Sequence, residues 1–412
     1  MLLARLMDKC LPAGRLTIVD AAGARHVAGQ QAEGAADVTV RIHDRAAQRR
    51  LLLNPKLAFG ELYMDGRLTI EDGTLYDFLD LLCSAVGAFE SDTLIGRFGG
   101  ACGRLTRRFQ QYNPVGKAQR NVAHHYDLSG RLYDLFLDKD KQYSCAYFND
   151  ETDSLEDAQH NKKRHIAAKL LLESDQKVLD IGCGWGGLAL YLAREARVEV
   201  TGLTLSREQH GAAEERARKA GLDNQVRFRL QDYREERETY DRIVSVGMFE
   251  HVGATHYREF FGKLRSLLKE DGVALLHTIG RAGPPGATNA WLAKYIFPGG
   301  YTPALSEVMA AIEKEDLWVT DIEALRLHYA STLQHWRERF AANRDEIRDL
   351  YDERFCRMWE FYLTGCELSF RRMDQLVFQI QIARRRDAVP LTRGYIERWE
   401  DLHRGETVSA AA

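Results

Sequence analysis

An α/β fold with a parallel sheet covered on both faces, preceded by a small α+β domain, is what the sequence predicts, on three observations. From residue 155 onward, short apolar runs rich in Val, Ile and Leu alternate with helical stretches, the pattern of strands linked by crossover helices. The first strong strand ends in a glycine turn of D-x-G-x-G form, Asp180 to Gly184. The length, 412 residues, exceeds one ordinary core and leaves room for a second, smaller unit.

The elements follow in order. Arg15 to Asp20, Val38 to Ile42 and Leu68 to Ile70 read as short strands, and Leu75 to Phe89 as an apolar helix, giving the small domain over residues 1–92. Thr93 to Tyr126 carries Arg97, Arg104, Arg107, Arg108, Lys117 and Arg120 and not one acid, and Gly99, Gly100, Gly103, Pro114 and Gly116 break it up. Residues 93–121 are therefore expected to form a basic linker. A solvated connector explains its charge, and so does contact with anionic lipid. The larger domain is expected over 122–390, with strands at Lys177 to Ile181, Val198 to Leu205, Gln225 to Leu230, Tyr240 to Met248 and Gly272 to Ile279. Helices at Ser206 to Ala220 and Thr255 to Lys269 separate them. Trp318 to Leu327 and Gln375 to Ile382 add two strands, and between them Ser331 to Phe370 reads as long helix. Residues 391–412 are expected as a tail.

Apolar residues make up 45% and charged residues 28%, the balance of a soluble globular chain. The net charge of −3 selects no partner. The most apolar stretch, Phe78 to Phe89, is short and carries Asp80, and Met1 to Leu11 holds Arg5, Asp8 and Lys9. Neither a membrane span nor a secretory signal is expected. The seven cysteines form no C-x-x-C pair, which points to reduced thiols in the cytoplasm. Membrane contact is then expected to be peripheral.

Glycines at 182, 184 and 186 with Cys183 between them let the backbone turn sharply and approach a ligand closely. No Walker lysine follows the turn. That favours S-adenosylmethionine, which has no pyrophosphate to cradle. A purely structural βα turn is the alternative. The second strand ends without the acid that often holds ribose hydroxyls; Thr204, Leu205, Ser206 and Gln209 stand there instead. Ser206 and Gln209 also satisfy an S-x-x-Q capping box, so Ser206 reads equally as cap or as ligand contact. Asp232 and Tyr233 follow the third strand, where adenine would lie, or serve as a cap or turn.

Beyond the turn, residues 123–127 (Ala-His-His-Tyr-Asp), Tyr143-Ser144-Cys145-Ala146-Tyr147-Phe148 and Met248 to Gly253 are distinctive. So are His277-Thr278-Ile279-Gly280, Tyr295 to Gly300 and Tyr362 to Cys366. In order and spacing, over about residues 110–390, they resemble the cyclopropane-fatty-acyl-phospholipid synthase family, kin to the mycolic acid cyclopropane synthases. The resemblance implies an S-adenosylmethionine-dependent methyltransferase fold, Rossmann-like with helical insertions. It implies transfer of the methyl as a methylene bridge across a cis double bond of phospholipid acyl chains, through a carbocation that bound bicarbonate deprotonates. It maps the bicarbonate carriers onto Cys145, Glu250, His277, Tyr329 and the backbone at Ile279, places Tyr143 and Ser144 at the cofactor, and carries over Cys366 as an active-site cysteine. Thiol, imidazole, phenol and backbone N–H suit an oxyanion, whereas Glu250 would repel one unless a proton is shared. A homodimer on the inner face of the membrane is expected by the same resemblance.

An isolated alkene is a poor nucleophile, so methyl transfer is mainly a problem of proximity. The cation left behind calls for a dry site with aromatic faces, and Tyr143, Tyr147, Phe148, Phe249, Tyr295, Phe297, Tyr301, Tyr329, Trp336, Trp359, Phe361 and Tyr362 surround the motifs. Taken singly, each reads as core. Three other readings stand beside the ring-forming one. They are a fatty-acyl methyltransferase leaving a methyl or methylene branch, a small-molecule methyltransferase and a non-enzymatic lipid binder. No readout motif suggests nucleic acid.

Overall fold

The computed structural model describes residues 1–92 and 128–404. The basic stretch from Thr93 and the motif at 123–127 lie outside the described residues. Among those described, 1–92, 287–297 and 333–374 form one compact unit, and 128–286, 298–332 and 375–404 form the other.

The first unit opens with α1 (Leu2–Cys10) and contains β1 (Gly14–Val19), β2 (Arg25–Gln30), β3 (Asp37–Ile42) and β4 (Leu68–Asp72) in the order β2-β1-β3-β4. Helices α2 (Arg45–Leu53), α3 (Pro55–Met64) and α4 (Leu75–Asp92) complete its N-terminal part. Strands β1, β3 and β4 and helix α4 lie where the apolar patterning places them. Helices α1 to α3 and strand β2 are additions: β2 is an edge strand with little buried surface, so it lacks the alternation that announces a strand.

The second unit begins with α5 (Gly130–Phe136) and α6 (Leu155–Leu170). It then alternates β5 (Lys177–Ile181), α7 (Gly187–Ala196), β6 (Glu199–Thr204), α8 (Arg207–Lys219), β7 (Val226–Leu230), β8 (Tyr240–Val246), α9 (Tyr257–Leu267) and β9 (Leu268–Arg281). After α10 (Ala290–Tyr295, in the first unit) come α11 (Leu305–Glu313), β10 (Trp318–Leu325) and α12 (His328–Ala342, in the first unit from Leu333 on), then α13 (Arg344–Leu350) and α14 (Glu353–Arg372), both in the first unit, and finally β11 (Gln375–Ala383) and α15 (Gly394–Leu402) of the second. The sheet order is β10-β11-β9-β8-β5-β6-β7. Strands β5 to β9 are parallel, while β11 runs antiparallel to both β9 and β10. Apolar clusters on the two faces bury β5, β8 and β9 from both sides, which is why these strands read as continuous apolar runs.

Two expectations change. The long helix expected over Ser331 to Phe370 is three helices, because Asn343 leaves helical geometry and Asp352 is extended at φ −163°. The Asp352 carboxylate accepts from Phe355 N at 2.6 Å and so restarts the helix. The expected tail carries α15, which packs on α6; its Tyr395 hydroxyl meets Gln381 Nε2 at 2.8 Å.

Helix α6 departs from ordinary amphipathicity. Ser154 caps it, and nearly every residue from Gln159 to Leu170 is buried, including Lys162 and Lys169, both at 0% exposure. The polar groups are paired inside: Lys169 with Glu323, and His165 between Glu323 at 2.8 Å and Glu400 at 2.7 Å.

Candidate active site

The turn after β5 shapes the site. Gly182 and Gly186 have φ of +90° and +80°, the left-handed region where other residues are strained. A Cβ at Gly182 would stand 2.8 Å from Met248 Cβ, and one at Gly186 would stand 2.5 Å from Phe228 Cζ. Gly182 N and Cys183 N both donate to Leu203 O at 2.9 Å, tying the turn to the end of β6.

A cavity opens over the C-terminal ends of β5, β6, β7 and β8, where ligands gather in open α/β sheets. Of the residues expected at a cofactor, Tyr143, Ser144, Asp180, Gly182, Cys183, Gly184, Thr204, Leu205, Gln209, Asp232 and Tyr233 line it. Two others do not. Gly186 sits beneath the turn, and Ser206 is the N-cap of α8, with Oγ accepting from Gln209 N at 3.3 Å. Thr204 Oγ1 accepts from Ser206 N and donates to Gln209 Oε1 at 3.0 Å. The amide oxygen is thereby committed, and Nε2 is left as the donor end of a residue that lines the cavity.

Asp232 lines the cavity and also caps the short turn after β7. Arg234 donates to its carboxylate through Nε at 2.9 Å and Nη2 at 2.7 Å, and the guanidinium lies 5.6 Å from the Tyr233 ring centre. Asp180 is 1% exposed, with Oδ2 unbonded among the described residues. Burial pushes its pKa up to about 7. Gln142, Gln231, Arg234 and His251 also line the cavity and were not singled out from the sequence. His251 lies within the Met248 to Gly253 motif; the other three are polar residues beside residues that were named.

The second cluster stands where β8 and β9 end. Phe249 is fully buried and stacks on Tyr257 with ring centres 4.3 Å apart, anchoring the turn that carries Glu250. Glu250 Oε1 accepts from Ile279 N at 2.6 Å, while Oε2 is buried and unbonded among the described residues. Burial pushes the Glu250 carboxyl up to a pKa of about 7. His277, on β9, is 2% exposed, and burial drives its imidazole well below the usual range. Gln379 Nε2 lies 3.2 Å from His277 Nδ1. With Gln379 Nε2 as the donor, Nδ1 accepts and the ring proton falls to Nε2; both that Nε2 and Gln379 Oε1 are buried without a partner among the described residues. An unfilled donor and an unfilled carboxylate oxygen, both buried, are costly unless something fills them.

Cys145 is buried, with Sγ 3.2 Å from Ala146 O, and burial raises its thiol strongly. Ala146 N donates to Thr332 Oγ1 at 3.0 Å, joining this segment to α12, which also carries the buried Tyr329. Cys366 belongs to the first unit, on α14, and does not line the cavity. Burial pushes its thiol up to about 12, far from thiolate behaviour. Of the aromatic residues, Phe249, Tyr301, Trp336, Trp359 and Tyr362 are buried core side chains. Tyr147 is stacked between His165 and His328 at 4.2 and 4.9 Å, and among these residues only Tyr143 lines the cavity.

Residues 115–380 match the family model described as mycolic acid cyclopropane synthetase. The chain is 40% identical to the cyclopropane-fatty-acyl-phospholipid synthase of Escherichia coli K12, over 87% of this chain and 91% of that one. This chain belongs to that family. It is an enzyme, an S-adenosylmethionine-dependent methyltransferase. It is also 35% identical to a tuberculostearic acid methyltransferase of Mycobacterium tuberculosis, over 82% of this chain and 81% of that one. A mycolic acid cyclopropane synthase solved with S-adenosylhomocysteine and CTAB superposes with a TM-score of 0.62 at 34% identity. That match covers 66% of this chain and 99% of the other. Among the described residues no helix is long and apolar enough to cross a membrane.

Proposed function

We propose that this synthase-family member adds a methylene bridge across the cis double bond of unsaturated acyl chains in phospholipids, using S-adenosylmethionine as donor and bicarbonate as base. The observation that carries the reading is that Glu250 Oε2 and His277 Nε2 are both buried and unbonded among the described residues, Glu250 standing between Met248 and His251 of the cavity lining and His277 pairing with Val246 of it. When bound, S-adenosylmethionine supplies an electrophilic methyl, and bicarbonate supplies a base that closes the ring by removing a proton from it. The residues assigned to hold the cofactor are the Gly182 to Gly184 turn, Thr204, Gln209, Asp232 with Tyr233, and Ser144 with Tyr143. Those assigned to bicarbonate are Cys145, Glu250, His277, Tyr329 and the Ile279 backbone.

The chain's own groups suit both tasks. His277 stays neutral near pH 7 because burial disfavours its charged form and offers Nε2–H as a donor. Glu250, with a pKa of about 7, can share a proton with an anion instead of repelling it. Phe249, Tyr257, Phe260 and Phe261, buried in one cluster at the turn that carries Glu250, suit a site that must exclude water. Cys366, with its raised pKa, is assigned no chemical step. Residues 122–390 are assigned as the catalytic domain and 1–92 as the lipid-associated one. A homodimer bound peripherally to the inner face of the membrane, with the basic stretch at 93–121 against anionic headgroups, completes the reading.

The test is incubation of the purified protein with S-adenosylmethionine and vesicles of an unsaturated phospholipid, with and without added bicarbonate in degassed buffer. The expected product is a cyclopropane by NMR, formed only with bicarbonate. Turnover indifferent to bicarbonate overturns the base assignment and leaves ring formation standing. A methyl or methylene branch instead of a ring places the chain with the fatty-acyl methyltransferases.

A further inference from the structure

We propose that Lys162, on α6, is a positioning residue that sets the polarity of Ser144, turning its hydroxyl into a donor for the carboxylate of the cofactor's methionine tail. Lys162 is fully buried. Its Nζ donates to Gln142 Oε1 at 2.7 Å and to Ser144 Oγ at 2.8 Å, and both acceptors line the cofactor cavity. One turn earlier on the same helix face, Gln159 Nε2 donates to the carbonyls of Gln142 and Ser144 at 3.1 and 3.0 Å. Helix α6 therefore grips the cavity wall by backbone and side chain together.

The chemistry follows from what each group can do. A lysine ammonium is donor only, whereas a serine hydroxyl both donates and accepts. With an ammonium on its oxygen, Ser144 has its O–H left to give, and the bond made through it is charge-assisted. The adenosine part of the cofactor carries no full charge, but the methionine tail carries a carboxylate and an ammonium. Asp180 lines the same cavity with a buried unbonded oxygen and lies close enough to Lys162 for the lysine charge to lower its pKa. An acid and a lysine-backed hydroxyl thus offer partners for the two charges of an amino-acid tail. A lysine kept only to support the fold would not need to end on a hydroxyl facing the cavity.

This inference rests on the cavity taking S-adenosylmethionine, and the experiment separates the two. Calorimetry of the full chain compares S-adenosylhomocysteine with its decarboxylated analogue, 5′-S-(3-aminopropyl)-5′-thioadenosine, which keeps the amine and lacks the carboxylate. The native protein is expected to prefer S-adenosylhomocysteine by about tenfold or more, the range of a hydrogen bond to a charged group. In Lys162→Met that preference collapses, with affinity for the decarboxylated analogue little changed. Ser144→Ala, which keeps the lysine, gives the same collapse, and the double variant loses no more than either single one. Equal loss for both ligands in Lys162→Met, or a preference retained in folded Ser144→Ala, overturns the proposal. No binding of either ligand by the native protein overturns the cavity assignment as well.

Discussion

Glu250 shows what burial does to a single group. The unfolded chain releases this proton at the ordinary value of 4.5, whereas the folded protein holds it to about 7. The folded state thus binds more protons between those values, and its stability falls as pH rises through that window. Asp180, raised from 3.8 to about 7, acts in the same sense. Glu250→Gln is therefore expected to be more stable than the native protein by about 3 kcal/mol above pH ~7 and hardly different near pH ~4.5, while losing most of its turnover. Urea unfolding at both pH values checks this; a stability difference independent of pH would contradict it. Ser206 is a quieter case. Ser206→Ala should cost about 1 kcal/mol as a lost cap with cofactor affinity almost unchanged. Gln209→Ala should weaken the cofactor several-fold, and calorimetry beside thermal melts distinguishes the two.

At the scale of elements, register decides the chemistry. Strands β9 and β11 pair antiparallel with His277 directly across from Gln379, so the two side chains share one face. This pairing sets the Gln379 amide against Nδ1, and with Nε2 of the amide as donor the ring proton falls to His277 Nε2. Gln379→Leu is expected to let the imidazole populate both tautomers and to lower turnover about tenfold, the scale of one positioned hydrogen bond. The tautomer ratio is read directly from ¹⁵N shifts of the imidazole; an unchanged ratio refutes the assignment. The same dependence on elements explains the limits of sequence reading. The glycine turn, the parallel strands and the motif at Met248 to Gly253 are local patterns, and they were legible. Helix α6 was not: its lysines and histidine look like a solvated face until Gln142, Ser144, Glu323 and Glu400 are brought against them. Gln379 had no signal either, being one polar residue in an apolar strand.

For the whole molecule, the compact units do not follow the chain. Leu368 on α14 is fully buried in the core built by α1, β1, β3, β4 and α4, and Phe361 packs on the same cluster. Arg372 pairs with Asp80 at 2.7 Å, and Lys294 with Glu61 at 2.6 Å. Removing residues 1–92 would strip these partners from α10 and α14 and expose several large apolar side chains, each worth about 1.5–3 kcal/mol of burial. A chain truncated to 122–412 is expected to aggregate or to melt well below the intact protein. Soluble yield and a melting curve measure this, and a native-like melt would show that α14 folds without the N-terminal core.

The sequence by itself determined the α/β class, the glycine turn that walls the candidate cavity and the family. The first two depend on residues close together along the chain, where glycine geometry and apolar period act locally, and the family on a set of such short motifs in order. Only the tertiary structure decided which polar groups are bonded and which are left unfilled. It made Ser206 a cap, gave Asp232 an arginine, tied Glu250 to Ile279 and set Lys162 behind Ser144. Those outcomes follow from burial and from pairings between distant segments, and neither is written in any short stretch of sequence.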